Sequence, residues 1–392
     1  MTFELTPEHE QFRRTVRDFA EKEIAPHSAE WDRTHHFPVD VVHKMGELGL
    51  FGLTAPEEYG GAGLGGEEGG FTSLCLAIEE LGRVDQSIGI TLEAAVGLGI
   101  NPILTYGTEE QKQTWLPDLV AGRRLAGFGL TEPGAGSDAG ATRTRARLDG
   151  GEWVVNGSKA FITNSGTDIT SVVTVTARTG ENPDGSAQIS TILIPSGTTG
   201  LTVEPPYEKL GWHASDTHGL SFADCRVPAD NLLGEQGAGY KQFLKTLDDG
   251  RIAISALAVG LAQACLEASI SFCSHREQFG RPIGGFQLVQ QMVVEIATLT
   301  ETSRLLGYKA ARVLDAGEPG RFECSMAKYY CGESAGRAAT LALQVHGGAG
   351  LMEESPVERY FRDAREATIP EGTSQIQILH LGRALLGISA LR

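Results

Sequence analysis

Five short stretches of the chain hold residues that could do chemistry. In "IPEGTSQIQ" (369–377) a single carboxylate, Glu371, stands between Pro370 and Gly372. Pro370 has a fixed φ and no N–H to donate. Gly372 opens backbone angles closed to other residues. Thr373 or Ser374 can cap the apolar-periodic stretch that follows. The acid is therefore predicted on a short, stiff turn just before a helix. Taken alone, these nine residues favour an ordinary solvated turn carboxylate.

The other four stretches are richer in glycine, hydroxyls and amides. "GFGLTEPGAGSD" (127–138) reads as a strand over 128–131, then a turn whose backbone N–H groups could face an anion or a polar ring edge. Thr131 and Ser137 add hydroxyls. "NGSKAFITN" (156–164) reads as a second strand, with Phe161 beside the hydroxyl of Thr163. "REQFGRPIGGFQLVQQ" (276–291) places Arg276, Gln278, Phe279, Gln287 and Gln290 around a turn and a helix start. "QVHGGAG" (344–350) reads as a glycine-rich helix C-terminus. Each has an ordinary structural explanation, and none decides a function alone. The glycine-rich "EEYGGAGLGGEEGG" (57–70) has no Lys-Ser/Thr after it and no strand before it, so a P-loop is not expected.

Composition and periodicity supply the frame that must position these residues. The chain has 392 residues, 41% of them hydrophobic, enough for two or three cores. Its net charge of −17 fits poorly with a phosphate backbone, so nucleic acid is not an expected partner. No apolar signal segment opens the sequence. The longest nearly uncharged helical run, 252–266, is too short to span a bilayer. The six cysteines have no CxxC spacing, which suggests reduced, buried thiols in a cytoplasmic protein. No metal site is expected.

Residues 1–125 read as helices: Thr6 is a candidate N-cap with Pro7 after it, and Phe12, Val16, Phe19, Ala20 and Ile24 follow helical spacing. Over 126–235 the period becomes two. Val173, Val175 and Ala177 alternate with Thr174, Thr176 and Arg178, and Asp149-Gly150, Asn156-Gly157 and Asp184-Gly185 mark turns. That pattern predicts an antiparallel β-domain without a Rossmann sheet. From 236 to 392 the pattern is helical again, with Leu257, Leu261, Ala264, Cys265 and Ala268 on one stripe. The expected fold is α+β multidomain: an N-terminal helical domain, a middle antiparallel β-domain and a C-terminal helical bundle.

Taken in order, the motifs resemble the acyl-CoA dehydrogenase family over essentially the whole chain. "LTEPGAGSD" and "GSKAFITN" are similar to the family's flavin-binding segments. "REQFGRPI" with "FQLVQ" is similar to the segment that reaches a neighbouring subunit's cofactor. "QVHGGAG", "PVERYFRDAR" and "PEGTSQIQ" complete the series, and chance agreement of so many ordered motifs is negligible.

The resemblance implies an FAD enzyme that dehydrogenates an acyl-CoA to a trans-2-enoyl-CoA and passes electrons to an electron-transferring flavoprotein. It implies that Phe128, Leu130, Thr131, Gly136 and Ser137 line the flavin, with Phe161, Ile162 and Thr163 packed on its ring. Arg276, Phe279, Gln287, Gln344 and Gly348 would contact FAD held mainly by a partner in a homotetramer, a dimer of dimers. Thr373 and Gln375 would approach the cofactor beside Glu371. Ser137, Asp248, Arg251 and Gly372 would hold the CoA ester. Glu371 falls at the catalytic base of most members; some carry that acid where this chain has Gly250. Pro370 departs from the usual small or aromatic residue before the base. "TLDDGR" (246–251) looks most like short-chain members, with room for the acyl group expected at Gly97, Gly99 and Gly250.

Three other activities share this scaffold. Acyl-CoA oxidases are usually longer, with an extra C-terminal domain. Flavin monooxygenases generally lack the acid at 371. A DNA-binding flavoprotein relative is expected to show a basic patch, which the −17 chain lacks. For the base, two effects compete: the helix after it favours the carboxylate, and desolvation by a bound acyl chain and flavin disfavours it. Desolvation is expected to win in the complex.

Overall fold

The computed structural model of the chain describes residues 5–64 and 69–390. The glycine-rich stretch at 57–70 lies partly outside these residues. The N-terminal helices are α1 (Pro7–Phe19), α2 (Ser28–Thr34), α3 (Val39–Glu47), α4 (Gly70–Val84), α5 (Gln86–Glu93), α6 (Asn101–Tyr106) and α7 (Glu109–Val120). α1 starts where its sequence says it should: the Thr6 hydroxyl accepts the His9 N–H at 3.2 Å and Pro7 opens the first turn. Val16, Ala20 and Ile24 are buried, and Phe12 and Phe19 pack against the same core. Between α5 and α6 the chain widens into a π-helical segment, Ala94–Ile100, a form that often marks functional sites.

The strands are β1 (Leu125–Gly129), β2 (Arg145–Asp149), β3 (Glu152–Thr163), β4 (Thr170–Glu181), β5 (Ala187–Pro195), β6 (Leu201–Pro206), β7 (Thr217–Pro228) and β8 (Leu232–Leu233). They form one sheet ordered β6-β7-β3-β2-β4-β5-β8, with β1 beside β4. The hairpin-connected strands pair antiparallel, as expected. The sheet is nevertheless mixed: β1 runs parallel to β4 with Phe128 opposite Thr174, and β2 also meets β4 in parallel, at Arg145 opposite Arg178. β1 enters from the helical domain and not through a hairpin, so no tight turn sets its direction. This pairing also explains the alternation in β4. Val173, Val175 and Ala177 lie in the sheet core, while Thr174 and Thr176 are buried on the other side, their hydroxyls donating to the β1 carbonyls of Gly127 and Gly129.

Two turn expectations hold, at Gly150 and Gly185, both in the left-handed region. Asn156-Gly157 does not turn. It lies inside β3, at a register shift opposite β7. Gly157 is required there because a Cβ would lie 2.5 Å from the Thr144 hydroxyl. The strand expected at 128–131 is also shifted, ending at Gly129, so that Leu130 and Thr131 begin the loop.

The C-terminal part holds α8 (Gly239–His275), a small hairpin of β9 (Glu277–Gln278) and β10 (Arg281–Pro282), then α9 (Gln287–Asp315), α10 (Arg321–His346), α11 (Pro356–Glu366) and α12 (Ser374–Leu386). Leu257, Leu261, Ala264 and Cys265 are buried along α8, with Ala268 at the edge of the stripe. All six cysteines are free and buried. Gln86–Tyr106 and Gly239–His275 are long and apolar enough to cross a membrane, but 78% of each apolar window is buried inside the fold, as in a core helix.

Side chains lock the β-domain onto the helices near α5 and α11. Asn164, just after β3, donates to the Thr91 carbonyl of α5 at 3.1 Å. The Gly211 and Trp212 N–H groups donate to Glu366 and Asp363 of α11, each at 2.7 Å. These ties bring the end of β3, the end of α5 and the turn after α11 to one place.

Candidate active site

Glu371 follows α11 on that turn. Its φ is 55°, and that of Gly372 is 86°, so two consecutive residues are left-handed. For a residue with a Cβ this costs roughly 1–2 kcal/mol. The conformation aims both carbonyls into the protein, where buried donors meet them. Gln377 of α12 donates to both, at 3.0 and 2.9 Å, and Lys328 of α10 donates to Gly372 at 2.8 Å. Arg251 of α8 approaches the Glu371 carbonyl at 3.4 Å. Thr373 caps α12 by accepting the Ile376 N–H at 3.3 Å. The turn is stiff, as the sequence implies.

The carboxylate itself is buried, with Glu371 only 8% exposed. This removes the solvated-turn reading. Its Oε2 has no hydrogen-bond partner. Burial pushes its pKa up to about 7 against the pull of Arg251 and Lys328. Desolvation by the protein alone therefore outweighs the two cations. The acid is held near neutrality with a free oxygen, which suits a general base.

Gly250 of α8 faces this group: a Cβ there would lie 2.7 Å from Oε2. The space expected for the acyl group at Gly250 is therefore taken by the base. Gly99 leaves no room either, since its Cβ would press on Ala126 of β1 at 3.0–3.1 Å. Gly97 does open inward, towards the Glu93 Oε1, 3.4 Å from its Cβ position.

Glu93 escaped the sequence reading. It ends α5, is buried, and its Oε1 has no partner. Burial first, then the charge of Glu371, holds its carboxyl well above the usual range. The available signal was a lone acid inside the apolar run "IGITLEAAVGLGI" (88–100). A second missed group is the buried Glu132–Lys159 pair at 2.8 Å. Glu132 also accepts from Thr142 and from the Arg143 and Thr144 N–H groups, which fixes the 130–144 loop. The ammonium holds the carboxyl down to about 2 against burial.

The residues assigned to the cofactor fall in two groups. Phe128, Leu130 and Thr131 are half-buried at the end of β1, and Gly136 and Ser137 are exposed on the loop. That loop reaches α8, with the Gly140 Cβ position 3.3 Å from the Tyr240 ring. Ile162 is buried behind Phe161, whose ring is 64% exposed and 4.9 Å from that of Tyr207. Phe161 has a φ of 61°, unusual for an aromatic residue and typical of strain kept at a functional site.

The second group, Arg276, Phe279, Gln287, Gln344 and Gly348, is exposed. Phe279 is 93% exposed. Gln375, beside Glu371, is exposed as well. Asp248 and Arg251 pair at 2.6 Å, with Arg321 on the same carboxylate, so both are engaged beneath the base.

An FAD fits these surfaces. The Thr131, Ser137 and Thr163 hydroxyls and the side chains of Arg276, Gln287, Gln344 and Gln375 make no hydrogen bonds within the described residues. They remain available to a polar ring edge, a ribityl chain and phosphates. The Glu371 N–H is likewise unspent.

A helical–β–helical fold with a buried, unpaired carboxylate and a set of unspent hydroxyls and amides suits a flavin-dependent oxidoreductase. The comparisons carry this further. The acyl-CoA dehydrogenase N-terminal domain matches residues 6–123, the middle domain 127–225 and the C-terminal domain 237–386. A probable acyl-CoA dehydrogenase, YngJ of Bacillus subtilis (strain 168), is 49% identical over 98% of this chain and 100% of its own. The mitochondrial short-chain specific acyl-CoA dehydrogenase of Mus musculus is 43% identical over 98% of this chain and 91% of its own.

Among solved structures, butyryl-CoA dehydrogenase from Megasphaera elsdenii superposes with a TM-score of 0.93 at 39% identity, covering 98% of this chain and 100% of that one. A chain from a structure described as the electron transferring flavoprotein of Acidaminococcus fermentans gives 0.94 at 41%, with the same coverage. The chain belongs to the acyl-CoA dehydrogenase family and is an FAD-dependent oxidoreductase of that family.

Proposed function

We propose that the protein α,β-dehydrogenates a short- or medium-chain, straight acyl-CoA to the trans-2-enoyl-CoA. The observation that carries this is the buried Glu371, with Oε2 unspent at the Gly250 crossing. Glu371 Oε2 takes the proton from the α carbon. The Glu371 N–H donates to the thioester carbonyl and stabilises the enolate charge as it develops. FAD, when bound, supplies the acceptor for the β hydrogen and its electron pair. With the α proton on Glu371, the two carbons are left doubly bonded. The buried walls exclude water from the acid while it holds that proton.

Residues Thr131, Ser137, Phe161 and Thr163 would face the flavin. Gly372, with Ser137 on the loop over α8, would border the CoA ester. The similarity to a butyryl-CoA dehydrogenase and to short-chain specific relatives supports a short acyl group. The structure described as an electron transferring flavoprotein supports such a protein as the electron acceptor.

The purified protein should be yellow, with one FAD per chain. Initial rates across butyryl-, isobutyryl-, isovaleryl-, octanoyl-, palmitoyl- and glutaryl-CoA test the reaction, using an artificial electron acceptor beside oxygen alone. Butyryl- or octanoyl-CoA should lead, and oxygen should support little turnover. A colourless protein that takes up no FAD would sink the reading, and fast turnover with oxygen alone would make it an oxidase.

We further propose a homotetramer in which the exposed β9–β10 hairpin reaches a partner's FAD. A guanidinium fork suits two phosphate oxygens, and the side chain of Arg276 is unspent within the chain. Arg276→Ala should therefore lose FAD on gel filtration and shift towards smaller species. Full flavin content at the parental size would remove the cross-subunit role.

A further inference from the structure

We propose that Lys328 is the positioning residue of the base: its ammonium, anchored on the Gly372 carbonyl, locks the left-handed turn at 371–372 and supplies the cation that compensates the Glu371 carboxylate. This rests on Glu371 being the base. Lys328 lies on α10 between Cys324 and Cys331, which are also buried, and its side chain is fully buried. An ammonium is removed from water at a steep cost and is retained in a core only where a partner offsets that cost. Lys328 has no salt bridge among the described residues, and its one hydrogen bond is to Gly372, at 2.8 Å.

The nearby cations differ in this respect. Arg251 is paired with Asp248, which also holds Arg321. Lys328 is thus the buried cation near the base without a carboxylate in contact; against the stronger effect of burial, the charge of Glu371 first and that of Glu333 after it favour its ammonium, and Arg251 opposes it. The two are linked through the turn itself: one end of the lysine fixes the backbone from which the carboxylate hangs.

The groups around Glu371 come from several elements. Glu93 faces it from α5, Arg251 from α8 with Asp248 behind, and Lys328 from α10. His380 of α12 faces Arg251, Arg321 and Asp248. Of these, Arg251 and Lys328 favour the ionised base, and Glu93, if ionised, opposes it. The Lys328 ammonium is itself brought down to about 8 by burial, so it is charged wherever the base begins to ionise, about 7.

Two variants separate clamp from charge. Lys328→Gln keeps an N–H donor for Gly372 and loses the charge; Lys328→Met loses both. The holoenzymes are compared by anaerobic stopped-flow reduction with butyryl-CoA from pH 6 to 9, with flavin content read by absorbance. Both should retain FAD. The pH midpoint for reduction should rise by about one unit in each, because an opposite charge has been removed from a carboxylate. The Gln variant should keep its high-pH plateau within about threefold, and the Met variant should fall about 30-fold as the turn loosens.

An unmoved midpoint in the Gln variant overturns the proposal. So would loss of fold and flavin in both variants, which would assign the lysine to stability alone. If Glu371→Gln still reduces its flavin, the base assignment fails first. If that variant is inactive and Lys328→Gln is unchanged, this inference alone fails.

Discussion

Glu371→Gln should leave FAD and acyl-CoA ester binding intact while flavin reduction by substrate slows by several orders of magnitude. The amide matches the carboxylate in shape, so the space at Gly250 and the donors on the 371–372 carbonyls remain in place. The backbone N–H of residue 371 can still polarise the thioester. What disappears is the capacity to accept a proton at Oε2. The parent rate should rise with pH through about 7, since only the ionised acid can take the α proton and burial has lifted its pKa to that value. The Gln variant should show no such rise. Anaerobic stopped-flow bleaching with the best acyl-CoA measures both. Bleaching within about tenfold of the parent would mean that another group removes the proton, because general-base catalysis alone typically contributes about 10²–10⁴-fold.

The order of folded parts was legible because each leaves a local period. Thr6 and Thr373 cap the helices their positions predict, and the Gly150 and Gly185 turns follow from residue chemistry. What failed was non-local. Asn156-Gly157 has a turn composition, yet the close approach of Thr144 makes it a strand bulge. The parallel seat of β1 against β4 depends on a chain arriving from another domain, and no local pattern encodes it.

At the site, the base was legible through its motif, but its burial was not. Nine residues cannot show that α5, α8 and α10 close over a carboxylate. Glu93 and Lys328 were hidden for the same reason. Each looks like an ordinary helix residue, and only packing shows that neither reaches water.

Gly250→Ala should cost about 100-fold in kcat while leaving the protein folded and yellow. In the interior of α8, alanine is the better helix former by roughly 0.5–1 kcal/mol, so the local backbone gains. The added methyl, however, would lie 2.7 Å from Glu371 Oε2 and 2.8 Å from its Cδ. The carboxylate cannot retreat with its backbone, because Gln377 and Lys328 pin the turn and Arg251 closes on it. It must rotate about its side-chain bonds, away from the substrate α carbon. A displacement of about 1 Å at the reacting atoms is enough for a loss of about 10²-fold.

Gly97→Ala is the matched control. Its methyl would stand 3.4 Å from Glu93 Oε1 and 3.8 Å from the Gly250 Cα, which is ordinary contact, and no backbone is forced. It should change kcat for butyryl-CoA by no more than about threefold. Steady-state kinetics, flavin absorbance and thermal melts on the three proteins decide the matter. Near-parental kcat in Gly250→Ala would show that the base moves freely, and the stiff turn would then lose its role in catalysis. A low kcat with an equal or higher melting temperature would show that α8 keeps a glycine at 250 to seat the carboxylate of Glu371.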